Sequence, residues 1–438
     1  MSTPPLNGVI NIGVRFFQIT PVMCKRLKIA NRCVNRGAKM KNELKILAKM
    51  RILFVINDRY GHGGHIKSFV SQFLALRNKI NSFHIICAEN GYLSLNRENL
   101  NLINSDLTCV DMSNLRLFHL SYRLFKAIKS NLCKYNYLHV YYGDCYFSCL
   151  LAKTYFKNIS LLCSIMGGPN PFPRLNSASI YIAVSKEQLS QVGAYDKALN
   201  VKKGVAVVKN RLLINHAYIN LMQKTKTNRG ILIVTRFDSD KINSLELLLK
   251  VANLLPSDIE IKIAGTGKLF EKYKNKFSDK KNIEFLGYCH DFSYYYENTA
   301  VVLGMGRSIL EFMINGMPGI LVGFSGIQIL DTIESVKFAS DRNFAGRELY
   351  SHLSFVDSLK YIVKCVENFT PLNSEIVEYL RNEYDISVFP YRYADIVKKS
   401  YPKKITLFDF TYEYIYVLLR RIDFYLKSKR ANLMKKIT

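Results

Sequence analysis

Short, fully apolar runs alternate with amphipathic stretches and glycine-rich turns along most of this chain. Arg51-Ile52-Leu53-Phe54-Val55-Ile56 has no polar position after Arg51, as a strand buried on both faces of a parallel sheet requires. A turn over Asn57–His65 follows, then an amphipathic helix from Ile66 to Arg77 and a strand from Phe83 to Cys87. The pattern continues with strands at Leu107–Val110, Tyr137–Tyr142, Ser160–Ile165, Ser179–Val184 and Val205–Val208, and with helices over Phe118–Cys133 and Tyr146–Tyr155. Ser185 is placed to cap a further helix. The polar stretch Asn215–Gly230 reads as a linker, after which the series restarts. Ile231–Val234 is a buried strand, Ser244–Leu255 a helix, and Ile259–Ala264 and Ile283–Leu286 are strands.

Val301 to Gly323 repeats the theme most compactly. A strand ends at Leu303, Gly304 and Gly306 make a turn, and Ser308 is suited to cap a helix beginning at Ile309. Asn315-Gly316 forms a left-handed stop, Pro318 follows, and Ile320–Val322 is the next strand. Two α/β halves, each opening on a central strand, predict two doubly wound sheets whose carboxyl edges face a common cleft.

Charge changes this picture at the ends of the chain and in its choice of partner. With 62 Lys and Arg against 34 acids the formal charge is +28, which calls for a polyanionic neighbour: nucleic acid, an anionic membrane face or a phosphorylated substrate. No stacking motifs accompany the basic patches, so nucleic acid is the weakest of the three. Residues 1–49 carry many basic positions and one acid, Glu43, and read either as a basic arm ahead of a domain starting at Met50 or as an over-extended reading frame. Arg15 interrupts the apolar positions near the start, so no export signal is read there, and no window is long and apolar enough to span a bilayer. The ten cysteines show no paired or metal-ligand spacing, which fits reduced thiols; Cys145 and Cys149 share a helix face as core filler. Beyond Ile405, an apolar and aromatic stretch to Leu419 leads into Arg420, Arg421 and a basic end, readable as a helix lying on a membrane or as a packed terminal helix with a solvated tail.

Candidate chemistry gathers in the turns. Gly63 and Gly64 after the first strand let a backbone approach a phosphate or sugar closely, and the loop lacks the dinucleotide fingerprint, which disfavours a nicotinamide cofactor. The turn at Gly306, Arg307, Ser308 and Ile309 opens a helix whose free N–H groups suit phosphate, with Glu311 one turn inside. Arg236 and Lys241 follow the first strand of the second half, and Gly265 and Gly267 follow the next. Taken alone, those two cations are ordinary loop charges.

Taken together, the order Arg236…Lys241, Gly265-x-Gly267, Phe285-Leu286-Gly287, Ser308-x-x-Glu311 and Gly316-x-Pro318 resembles the nucleotide-sugar domain of retaining GT-B glycosyltransferases of the family 4 type. Gly63-Gly64, Val184-Ser185 and Asn210 extend the resemblance more loosely through the first half. The resemblance implies two Rossmann-like domains of GT-B fold, at 50–214 and 230–384, joined by a linker at 215–229. It also implies a helix at 385–400 crossing back to the first domain, ahead of a basic tail at 401–438. The reaction implied is transfer of a sugar, with retention, from a nucleotide-diphosphate sugar to a lipid-linked or cell-envelope glycan. On this reading Arg236 and Lys241 neutralise the departing diphosphate in place of a metal, Glu311 holds the ribose, and no cofactor is needed. The protein would work in the cytoplasm, peripherally on an anionic membrane. Two positions depart from the pattern: Leu303 stands where many members have a second Glu, and Met166 where many have a His. His62, His65, Met166 and Gly167 are the acceptor-side candidates. The departures keep two alternatives open, a nucleotide-sugar epimerase and a degenerate glycosyltransferase serving as a binding subunit.

Overall fold

The computed structural model describes residues 40–57, 64–88, 106–111, 120–166 without 142 and 144, 177–188, 204–214 without 210 and 213, and 230–419 without 290, 291 and 352, together with Ile422 and Leu426. The linker at 215–229, Gly63, His62, Gly167, Asn210 and residues 1–39 lie outside this set, as does the side chain of His65.

Packed structure begins ahead of Met50. Residues 40–47 form a helix, α1, and Leu47 and Met50 are buried in the core shared with Ile52 and Phe54. The first sheet then assembles from β1 (Arg51–Asn57), β2 (Ser82–Ala88), β3 (Leu107–Val110), β4 (Tyr137–Tyr141), β5 (Ser160–Ile165), β6 (Ile180–Ala183) and β7 (Gly204–Val207). All neighbours are parallel, in the order β3-β2-β1-β4-β5-β6-β7. The apolar run of β1 explains its central place, because helices cover both of its faces and every residue from Ile52 to Ile56 is buried. One face is covered by α2 (Gly64–Leu76), the other by α3 (Tyr122–Leu132) and α4 (Tyr146–Thr154). Ser185 accepts a hydrogen bond from the Gln188 N–H while Gln188 Oε1 accepts from the Val184 N–H, a reciprocal cap.

The second sheet is built from β8 (Gly230–Val234), β9 (Ile261–Ala264), β10 (Ile283–Gly287), β11 (Thr299–Gly304), β12 (Gly319–Val322) and β13 (Ile327–Ile329). Its order is β10-β9-β8-β11-β12-β13, parallel except for the last pair. Between the strands run α5 (Ile242–Leu254), α6 (Phe270–Lys276), α7 (Ser293–Asn298) and α8 (Arg307–Met313). After β13 come α9 (Ile333–Asp341), α10 (Phe355–Glu367) and α11 (Ser374–Tyr384). α8 starts two residues earlier than the capping pattern predicts: Gly306, at φ 63°, is the cap, and Ser308 lies inside the first turn. The positive φ available to glycine lets the chain turn sharply out of β11 straight into the helix. Its other end is as expected, with Gly316 at φ 101° and the Met317 N–H bonded back to Phe312 O.

From the second half the chain returns to the first. α12 (Phe389–Lys398) buries Phe389, Tyr393, Ala394 and Val397 in the core beneath β1 and α2. Residues 407–419 form α13, which places Phe410 and Val417, with Ile405 just ahead of it, on the opposite face of that sheet. Among the described residues no helix is long and apolar enough to cross a membrane.

The halves are joined by charge as well as by chain. Lys209, just after β7 and nearly buried, donates to Ser340 Oγ at 2.6 Å and Tyr379 Oη at 3.0 Å, and its ammonium lies 3.3 Å from Glu383. Burial would push the Glu383 carboxyl up, but Lys209 and Arg392 hold it below its ordinary value. Lys186 pairs with Asp341 at 2.8 Å, and Arg347 makes a two-point contact with Glu187. Replacing Lys209 with Met leaves Glu383 and Asp341, 3.3 and 3.8 Å from its ammonium, without their inner cation. About 2 kcal/mol of stability should be lost after allowing for their partial exposure, read as a lower urea midpoint.

His139 on β4 is a satisfied core residue, as its place on a strand suggests. It is fully buried, with Nε2 2.8 Å from Ser164 Oγ and Nδ1 2.9 Å from Tyr393 Oη. Burial lowers its pKa to about 3. The folded ring therefore stays neutral while the unfolded one protonates below about pH 6.5, so stability is intact above that pH and falls as pH drops towards 3. By pH 5 this single group should cost about 2 kcal/mol, and His139→Gln should flatten the pH dependence of urea unfolding over that window.

Candidate active site

In the second sheet the strand order reverses between β8 and β11, which are hydrogen-bonded neighbours, Val234 opposite Gly304. In an open α/β sheet this is where loops diverge to leave a crevice beyond the carboxyl ends. One wall is the loop Thr235–Lys241 after β8, carrying Arg236 and ending at Lys241, the residue that precedes α5. The other is the turn Met305–Gly306, leading into α8 with Arg307, Ser308 and Glu311. Ser244 Oγ in the first turn of α5 lies 3.7 Å from Met305 Sδ, so the two walls touch. Arg236, Lys241, Gly306, Arg307, Ser308 and Glu311 thus share one edge of one pair of strands.

Tight backbone packing holds the first wall. The Phe237 N–H donates to Thr266 O at 2.9 Å and the Leu269 N–H to Phe237 O at 2.8 Å, which locks it to the turn containing Gly265 and Gly267. Gly265 sits at φ 148°, and a Cβ there would stand 1.7 Å from Thr235 O, so only glycine permits the approach. This is a structural reason for that glycine, independent of any ligand. Arg236 is half exposed, 3.6 Å from Asp238, while the Lys241 ammonium lies 4.6 Å from the centre of the Phe324 ring. Phe324 follows β12, and nothing in the sequence marks it as a partner for that lysine.

On the second wall, the Gly306 N–H is tied to Phe344 O at 2.6 Å, and no side chain caps α8. A Cβ on Gly306 would meet nothing within 4 Å, so the turn faces open space. Ile309 is buried, leaving only its backbone to serve a ligand. Arg307 has three partners: Nε donates to Glu311 Oε1 at 2.6 Å, Nη1 to Arg211 O at 3.3 Å, and Nη2 to Ser71 Oγ on α2 at 3.4 Å. The Glu311 carboxylate is therefore held on one oxygen by a guanidinium that also crosses to the first half. Sequence reasoning named Arg307 but could not find Ser71 or the Arg211 carbonyl, because both are brought in by the way the halves meet.

Leu303 is fully buried in β11, so the position of the second family acid offers the cleft no polar group. Met166 follows β5 and packs against the core beneath β1. His65 and Gly64 fall in the first turn of α2, next to the loop after β1. Two partly open pockets among the described residues lie elsewhere. One of about 250 Å³ is lined by Lys403, Lys404, Phe408 and Tyr412, and another of about 590 Å³ by Met40, Tyr391 and Arg392.

No protein-family model matches the chain, and no curated protein matches it by sequence. Its fold, however, is similar to that of solved GT-B glycosyltransferases. Anabaena Alr3699/HepE in complex with UDP superposes with a TM-score of 0.58 at 12% identity, covering 80% of this chain and 100% of that one. A Rickettsia africae glycosyltransferase gives 0.55 at 16%, again over 80% of this chain and 100% of the other. The lipopolysaccharide outer core galactosyltransferase WaaB in its apo form gives 0.51 at 15%, with the same coverages. At such identities the similarity establishes the architecture: two parallel-dominated, Rossmann-like sheets of the GT-B fold.

Proposed function

We propose that this protein is a glycosyltransferase that moves a hexose from a nucleotide-diphosphate sugar to a lipid-linked or cell-envelope glycan, with retention of configuration and without a metal. It would work at the cytoplasmic face of an anionic membrane. The observation that supports the reading is that Arg236 and Lys241 lie on the loop after β8 while Glu311 lies in the helix after β11, the strand paired beside it. Cleaving a sugar–diphosphate bond puts charge on the departing oxygen, and two cations plus backbone N–H groups can receive it. Glu311 keeps Oε2 for the ribose hydroxyls while Arg307 holds Oε1. Complexes of HepE with UDP and with UDP-glucose, on the same fold, support a uridine diphosphate donor as the first to test.

Thermal unfolding in the presence of nucleoside diphosphates and their sugars tests the donor, because a ligand that binds only the folded state raises the midpoint. UDP should raise it. Glu311→Gln should weaken UDP about tenfold, and Lys241→Ala, which removes a cation from the diphosphate, should weaken UDP as well and cut turnover about a hundredfold. No shift with any nucleotide would end the proposal. Binding without turnover on credible acceptors would favour a binding subunit, the reading that buried Leu303 supports. A changed sugar without acceptor would mark an epimerase.

Arg307→Leu removes the contact that fixes the Glu311 carboxylate. Its UDP affinity should fall severalfold, and because the guanidinium also holds the Arg211 carbonyl and Ser71, the thermal midpoint of the unliganded protein should fall by the equivalent of about 1–2 kcal/mol.

A further inference from the structure

α13 has two apolar faces, and only one of them is used. Phe410, Tyr414 and Val417 pack against the first half, where Glu413 is buried and accepts hydrogen bonds from Tyr146 Oη at 2.7 Å and Ser177 Oγ at 2.5 Å. These contacts fix the rotation of the helix about its own axis. At roughly 100° per residue, Phe408, Tyr412, Ile415 and Leu419 fall within about 40° of a single line on the opposite side. Every one of them is exposed, Phe408 at 77% and Leu419 at 59%. Four large apolar side chains in one row on the solvent side are far from the scattered exposure usual on protein surfaces.

The surroundings of the row are basic. Lys403 and Lys404 precede the helix, and from Arg420 to Lys436 the sequence adds seven basic residues against one acid, Asp423. A second copy of this chain would bring the same charge, and so would residues 1–39, which contain seven basic residues and no acid. Both are repelled where an anionic surface is attracted. We propose that the outer face of α13 is a docking surface for an anionic lipid bilayer, with the row entering the acyl boundary and the lysines and arginines at the phosphates. Glu413 and its two donors form the clamp that keeps this face outward. Because α13 sits on the first half, that half, not the half carrying Arg236 and Glu311, meets the lipid. The surface stands on α13 alone; its use in presenting a membrane-borne acceptor to the cleft rests on the proposed transferase function.

Flotation of the full chain with phosphatidylglycerol–phosphatidylcholine vesicles, and with phosphatidylcholine alone, tests this. The protein should float with the anionic vesicles only, and less at high salt. Phe408→Ser, Ile415→Ser and Leu419→Ser together leave the packed face intact and should weaken flotation at least about tenfold with an unchanged thermal midpoint and unchanged UDP response. Phe408→Glu alone, at the most exposed position, should act in the same direction if the triple variant folds poorly. No flotation of the unaltered chain, equal flotation of the variants, or indifference to lipid charge would overturn the proposal. So would a dimer in solution that the same substitutions dissolve. Failure of UDP binding would strike the transferase reading and leave the lipid result standing.

Discussion

The groups gathered at the second sheet's edge depend on one constraint, the side-by-side run of β8 and β11 in parallel. At their shared end Gly304 comes close against the Val234 carbonyl, where a Cβ would stand 2.8 Å from the oxygen. With the two strands this near and their following helices on opposite faces, the loops after them must part and leave a crevice at the carboxyl ends. The Thr235–Lys241 loop has no freedom to lie elsewhere, because its backbone is stitched to the turn after β9. The cations owe their position to main-chain hydrogen bonds more than to side-chain contacts.

A second level of order comes from the way the halves meet. Lys209 reaches a nest of hydroxyls and carboxylates supplied by α9 and α11, and Leu212 exchanges backbone hydrogen bonds with Tyr384 and Ile386. Arg307 adds a contact from the edge of the crevice itself to α2. Cleft geometry and the relative placement of the sheets are therefore linked through this side chain.

Much of this was legible in the residues. Buried strands such as Ile52–Ile56 and Ala300–Leu303 admit one reading, and Gly316 announces a helix end by the conformation it permits. Arg236 and Lys241 follow β8, Gly265 follows β9 and Glu311 lies in the helix after β11, and because these strands are parallel the strand pattern puts the loops after them at the carboxyl edge of the sheet. Ser308 misled because a serine near a helix start is a good cap in general, whereas here a glycine with positive φ begins the helix sooner. The edge strand Ile327–Ile329 was too short to announce itself, and the three helices α9, α10 and α11 follow a stretch whose periodicity was less distinct. Ser71, Phe324 and the Arg211 carbonyl were beyond reach for a different reason: they belong to the site through long-range assembly, which no local window contains. Their discovery requires the two halves to be docked.

The return of α12 and α13 to the first sheet has a consequence for biogenesis. Ile52 and Phe54 are covered by Phe389 and Tyr393, and the other face of that sheet waits for Phe410 and Val417. At roughly 5–20 residues per second, a ribosome needs on the order of ten seconds to go from β7 to these closing segments. Throughout that interval the amino-terminal lobe has its strands but lacks two of its covers, and the nascent chain presents apolar sheet to its surroundings. The lobe made first is thus the lobe finished last.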